Sequence, residues 1–196
     1  MLKIGITGGI GSGKTTICKV FETLGIPVFY ADTVAKQLMI TDIILIDGIK
    51  TAFGINSYST TGLLNNKHIA NLVFNNQLAL DELNALVHPA VFRAFDKWVI
   101  EISASVPYIL KEAALLFESG SYKMCDKNIL VTAPISLKLN RVMHRDKVTA
   151  VQVKARMDKQ FTDVQKTKMA NYFIDNTENN SVILQVLNLH QQFLIR

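Results

Sequence analysis

Eight residues near the amino end, Gly8-Gly9-Ile10-Gly11-Ser12-Gly13-Lys14-Thr15, constrain the fold more than any other part of the chain. They read Gly-x-x-x-x-Gly-Lys-Thr, the pattern of a loop that wraps a polyphosphate. Glycines let the backbone turn tightly and bring successive N–H groups to face phosphate oxygens, with no Cβ in the way. In this reading Gly9, Ile10, Gly11, Ser12 and Gly13 form the cradle, Lys14 reaches the β- and γ-phosphates, Thr15 offers a hydroxyl to Mg²⁺, and Thr16 follows in the first helical turn. A helix starting near Lys14 adds the positive end of its dipole. The flanks agree with this. Residues 2–7 are a short apolar run suited to a buried strand, and residues 16–24 have helical periodicity. The chain is expected to bind a nucleoside triphosphate.

At 196 residues the chain has room for one α/β domain with insertions and is short for two independent domains. Its 49% hydrophobic content allows a sizeable core. The net charge of +5 suits anionic ligands such as ATP. No Lys/Arg block interleaved with aromatic residues is present, so nucleic acid is not an expected partner. Cys18 and Cys125 lack metal-ligand spacing and read as reduced thiols, and His68, His88, His144 and His190 show no ligand pattern. A strand and glycine-rich loop within residues 1–13 leave no place for a signal peptide, and no apolar run approaches membrane-spanning length. The expectation is a soluble, cytoplasmic protein, monomeric or weakly homo-oligomeric, with no membrane contact.

Five of the ten glycines fall within the first thirteen residues. Gly25 can end the first helix, and residues 27–30 read as a second short strand with Asp32 just beyond its carboxyl end. Residues 42–53, 66–74, 76–87 and 90–103 read as helices, with a turn-rich break at 54–62 and a helix boundary at His88-Pro89. Further strands are expected at 108–112, 128–132 and 172–175, and a last helix near 181–193. Strands alternating with helices imply a parallel sheet covered on both faces, with ligands outside the carboxyl ends of the strands. That geometry directs residues 8–15, Asp32 and Glu112 toward one crevice. The expected organisation is a nucleotide-binding core of residues 1–40 and 105–196, with a helical substrate-binding insertion at 41–104.

Thr149-x-x-Gln152 and Thr162-x-x-Gln165 both fit a capping box. Upstream, Lys138, Arg141 and Arg145 recur at spacings of three and four, so they share one helix face. Such a face is either a solvated surface or, in a phosphate-loop protein, positive charge that closes over a transferring phosphoryl group. On the second reading, residues 141–160 are a lid. No Asn/Thr-Lys-x-Asp guanine signature is present, which argues against a GTPase. These features describe a small phosphate-loop kinase.

Taken together, the motifs resemble those of the dephospho-CoA kinase family. The resemblance is carried by Ile4 through Thr16, Ala31-Asp32 followed by Ala35-Lys36, His88-Pro89, and Leu115-Leu116-Phe117-Glu118-Ser119-Gly120. Arg141-Val142-Met143-His144-Arg145-Asp146, then Arg156 and Gln160, are similar to that family's lid, and Ile174-Asp175-Asn176 to its closing strand. It spans about residues 2–187. It implies transfer of the ATP γ-phosphoryl group to the ribose 3′-hydroxyl of dephospho-CoA, on a five-stranded parallel sheet with a helical substrate domain and a lid. Another small-molecule or nucleotide kinase is the alternative, because the helical insertion carries no substrate code.

Site roles follow from residue type and place. Lys14, Asp32, Arg141 and Arg145 are the candidate catalytic groups. Asp32 either accepts the hydroxyl proton or caps a helix starting at Thr33. Arg141 and Arg145 would neutralise phosphoryl charge or hold the nucleotide. Asp32, His88 and Glu118 are candidate substrate contacts, with a helix boundary at His88 and a helix cap at Glu118 as the structural alternatives. Thr15 and Glu112 are the candidate Mg²⁺ ligands, Glu112 acting through water. The chain departs from the family pattern at Tyr30, where an Asp is usual, at Glu112 for Asp, at Ala114 for Pro, at Phe92 for a basic residue, and at Asn171 for Asp.

Overall fold

The computed structural model describes residues 1–74 and 76–195. Five short strands form a single parallel sheet: β1 (Leu2–Thr7), β2 (Val28–Tyr30), β3 (Tyr108–Glu112), β4 (Lys127–Thr132) and β5 (Tyr172–Asp175), in spatial order β2-β3-β1-β4-β5. Every pairing is parallel, with Ile6 level with Glu112 on one side and Ile129 on the other. Parallel strands buried on both faces need continuous apolar sequence, and Ile4, Ile6, Ile109, Leu110, Ile129, Leu130 and Val131 are all fully buried. All five strands stand where hydrophobic runs between turn residues place them.

Contacts divide the chain into two compact units. The first comprises residues 1–30 and 102–196 and holds the sheet. Helix α1 (Lys14–Thr23) packs against the helix at Val182–Leu194, burying Ile17, Cys18 and Phe21 against Val186, Leu189 and Phe193. Tyr108 lies under both, edge-on to Phe21 and Phe193, with its hydroxyl 2.6 Å from His190 Nδ1. At the far edge, Asn171 Oδ1 accepts from the Asn128 N–H at 2.8 Å, a bond that asparagine supports as well as aspartate.

The second unit, residues 31–101, is helical: α2 (Ala31–Thr41), α3 (Ile43–Phe53), α4 (Asn66–Val73) and α5 (Gln77–Glu101). Asp42 caps α3 through Leu45 N and also pairs with Arg93 at 3.3 Å. Contacts place α2 with this unit, so it begins at Ala31. Two local expectations are corrected. Helix α2 starts at Ala31 directly after β2, so Asp32 lies inside its first turn and is not an N-cap. Helix α5 runs unbroken through Pro89, where a boundary was expected. Proline removes one N–H from the ladder. Buried Val87, Ala90, Val91 and Phe95 on either side of it hold the helix together through packing.

The remaining helices of the first unit are α6 (Ile135–Asp146), α7 (Ala150–Met157), α8 (Asp163–Thr167) and α9 (Val182–Leu194). Both capping boxes form. Thr149 with Gln152 starts α7, and Thr162 with Gln165 starts α8. Lys147 ends α6 in the left-handed conformation, at φ 54°.

Candidate active site

The phosphate loop leaves the carboxyl end of central strand β1 and enters α1, as its sequence requires. Gly13 precedes the helix at φ 95°, a conformation unfavourable for other residues, and a Cβ there would collide with the Asn176 side chain. Gly11, at φ 80°, lies against the Lys138 carbonyl. The loop closes on itself through Ser12 N to Gly9 O at 3.0 Å. Lys14 is buried and its Nζ donates to the Gly8 carbonyl at 2.9 Å, which holds the ammonium inside the curl of the loop.

Three elements outside the loop grip it. Asn176, just after β5, donates to the Ser12 carbonyl at 2.7 Å. Arg141 on α6 reaches the Gly11 and Ser12 carbonyls, each at 3.5 Å, and the Asn176 carbonyl and Oδ1 at 3.5 and 3.4 Å. Gln160 accepts from the Ile10 N–H at 2.9 Å. Lys138, one turn before Arg141, is buried and paired with Asp163 at 2.7 Å, beside Gly9. Arg141 is therefore at the loop, whereas Arg145 is not. Its exposed guanidinium forks onto Asp146 at 2.7 and 3.1 Å, and Arg156 joins the same carboxylate at 2.8 Å. The Arg145 guanidinium, with Arg156 adding to it, holds the Asp146 carboxyl below the usual range.

Glu112 is buried at the carboxyl end of β3, level with Ile6 of β1 and Tyr30 of β2. Burial, with the Glu112 carboxylate next, pushes the Cys18 thiol far above its ordinary value. Tyr30 supplies packing where the family pattern has a carboxylate. Its ring lies against the core, with Lys19 Nζ 5.3 Å from its centroid. Glu118 pairs with fully buried Lys166 at 3.0 Å and accepts from the Phe161 N–H at 2.8 Å. Asp32 and His88 belong to the helical unit. Asp32 is exposed in the first turn of α2, and His88 stacks on Phe92 with ring centroids 6.3 Å apart. Phe92 thus serves as a ring partner where the pattern has a basic residue.

An open hollow of about 350 Å³ lies beside the Arg141–Asn176 contact, lined by Pro134, Ser136, Leu137, Asn140, Thr177 and Glu178, among others. Among the described residues no group of three or more His, Cys, Asp or Glu side chains could hold a metal ion by itself. Gln160, Asn176 and Lys166 are not among the candidate site residues that the sequence offers, and Lys138 enters there only as part of the basic face of α6. Gln160 and Asn176 lie within motifs that carry the family resemblance, but nothing local indicates that they touch the loop.

The sheet order, with a Gly-x-x-x-x-Gly-Lys-Thr loop at the end of its central strand, defines a phosphate-loop kinase fold. Within that class the chain belongs to the dephospho-CoA kinase family, whose model, described as Dephospho-CoA kinase, matches residues 2–181. It is 36% identical over 199 residues to the dephospho-CoA kinase of Chlorobium chlorochromatii, covering 98% of this chain and 94% of that one. Among solved structures it is similar to TT1252 from Thermus thermophilus, with TM-score 0.86 and 30% identity over 100% of this chain and 98% of the other. It also resembles the dephospho-CoA kinase from Campylobacter jejuni, with TM-score 0.69 and 26% identity over 97% and 96% of the two chains. No helix in the described residues is long and apolar enough to cross a membrane.

Proposed function

We propose that this protein transfers the γ-phosphoryl group of ATP to the ribose 3′-hydroxyl of dephospho-CoA, giving CoA and ADP, in the cytoplasm. The observation that carries the reading is the family match over nearly the whole chain, joined to a phosphate loop braced from three sides. A bond forms between the acceptor oxygen and the γ-phosphorus while the bond from that phosphorus to the β–γ bridging oxygen breaks. Backbone N–H groups of residues 11–15 and the Lys14 ammonium hold the phosphates. Arg141, fixed between the loop and Asn176, holds the nucleotide, and the adjoining hollow suits its nucleoside end. Arg145, itself exposed, donates to the transferring group after leaving Asp146, an ion pair of the kind that holds its partner weakly.

Asp32 takes the proton of the acceptor hydroxyl. A carboxylate in the first turn of α2 also complements the positive end of that helix. Thr15 through its hydroxyl, and Glu112 through water, would hold Mg²⁺, which neutralises charge on the β- and γ-phosphates when bound. His88 contacts the acceptor. Glu118 is the further acceptor contact, through Oε2: Oε1 already holds Phe161 and Lys166, whereas the buried Oε2 has no hydrogen-bond partner among the described residues. Residues 41–104 serve as the substrate-binding insertion and residues 141–160 as the lid. A coupled ADP-release assay with dephospho-CoA as acceptor, and AMP, dTMP and shikimate as controls, tests the assignment. Release with a control acceptor and none with dephospho-CoA would overturn it.

A further inference from the structure

We propose that Gln160 is a positioning residue for the phosphate loop, tying the loop backbone to the carboxyl end of segment 141–160. Its Oε1 accepts from the Ile10 N–H at 2.9 Å, while its Nε2 donates to the Ala114 carbonyl at 3.4 Å. One planar carboxamide thus bridges the loop after β1 and the turn after β3. The task needs an acceptor and a donor on a single rigid group, which a carboxylate or an ammonium does not supply.

Both ends of this bridge are themselves held. The Ala114 carbonyl also receives Thr7 Oγ1 and Lys166 Nζ, each at 3.4 Å. Immediately after Gln160, the Phe161 N–H is held by Glu118, whose carboxylate is paired with the fully buried Lys166. The Gln160 side chain is therefore presented from an anchored backbone to an anchored carbonyl.

At the other end of the segment, Arg141 donates to the Gly11 and Ser12 carbonyls. Segment 141–160 thus starts and finishes on the same short loop, donating at one foot and accepting at the other. Between the feet, the ion pairs of Asp146 with Arg145 and Arg156 are exposed, and such pairs contribute little. The middle of the segment is held by the burial of Val153 in α7, and its two feet hold the loop that cradles phosphate. The catalytic consequence rests on the kinase reading above. The contact itself does not.

The test uses the full chain with Gln160→Leu, which keeps bulk without polar atoms, and Gln160→Glu, which keeps an acceptor for Ile10 but loses the donor to Ala114. Exchange of the Ile10 backbone amide with solvent, followed by NMR, should be slow in the parent and in Gln160→Glu. In Gln160→Leu it should be at least tenfold faster, with α1 amides unaffected. With dephospho-CoA and ATP, kcat should fall about tenfold in Gln160→Leu, since two modest hydrogen bonds are lost. KM for dephospho-CoA should stay within twofold, a split that general loss of structure would not produce. If Gln160→Leu does not fold, Gln160→Asn, one methylene too short to bridge, takes its place with the same expectations. An Ile10 amide that exchanges equally in parent and variant, or a kcat that does not change, overturns the proposal. A parent enzyme inactive on dephospho-CoA but with Ile10 protected through Gln160 would sink the kinase reading and leave the contact standing.

Discussion

Asn176 and Arg141 share the Ser12 carbonyl: Asn176 Nδ2 donates to it at 2.7 Å and Arg141 Nη1 at 3.5 Å, while Arg141 Nη2 reaches back to Asn176 Oδ1 at 3.4 Å. A guanidinium that stays charged and offers several N–H groups in a plane can make these contacts together. The pair fixes the last turn of the phosphate loop from the β5 side of the sheet. Arg141→Ala should therefore raise KM for ATP and also loosen the loop. Arg145→Ala should act on turnover, lowering kcat by about 10²-fold or more with the fold intact, the usual loss of one transition-state donor. Steady-state kinetics of the two variants should separate these effects. Normal turnover in Arg145→Ala, together with unchanged hydrogen exchange at 141–160 on binding both substrates, would reduce that segment to a solvated surface.

Lys14 and Asp32 should fail in different ways. Lys14→Ala removes a buried ammonium from the loop and should weaken both ATP binding and turnover. Asp32→Asn keeps shape and loses basicity, so kcat should drop by roughly 10²-fold or more with little change in ATP affinity. A fluorescent ATP analogue reads affinity and the ADP-release assay reads kcat. If Asp32→Asn retains full kcat, the residue only stabilises the start of α2.

The Glu118–Lys166 pair gives a stability prediction. Lys166 is fully buried, and 12% of the Glu118 side chain is exposed. Glu118→Ala leaves an uncompensated charge in the interior and should cost roughly 3–5 kcal/mol of unfolding free energy. The Glu118→Leu/Lys166→Met double variant removes both charges and should recover most of that loss. Urea unfolding midpoints of the single and double variants test this, and equal losses in both would mean that the pair is not coupled.

The thiols give a pH prediction. Burial pushes Cys125 up to about 11, and Cys18 shifts further in the same direction. At pH 8 the Cys125 thiolate is therefore scarce, and labelling by a thiol reagent should run roughly 10²-fold slower than for free cysteine. Because the folded values are raised, the contribution to stability is complete below the ordinary thiol range, near pH ~8.5. It is lost as pH climbs through that range toward 11. Unfolding midpoints at pH 8 and 10 should show a larger fall for the parent than for the Cys18→Ala/Cys125→Ala variant.

Features encoded within one turn or one strand of their neighbours are legible in the chain's residues alone. The phosphate loop, the five apolar strands and the two capping boxes at Thr149 and Thr162 each depend on residues a few positions apart, so local spacing is enough to read them. Pro89 shows the limit even there. A strong local breaker was overridden by buried residues on both sides of it in α5. How the loop is held emerges from the folded chain, because Gln160 meets Ile10 across 150 positions and Asn176 meets Ser12 across 164. The same folding turns Arg141 to the loop and Arg145, one helical turn on, to Asp146. Spacing puts both arginines on one face of α6. Which of them finds the loop carbonyls and which the neighbouring Asp146 carboxylate depends on what the sheet and its crossovers bring alongside, and no local pattern carries that information.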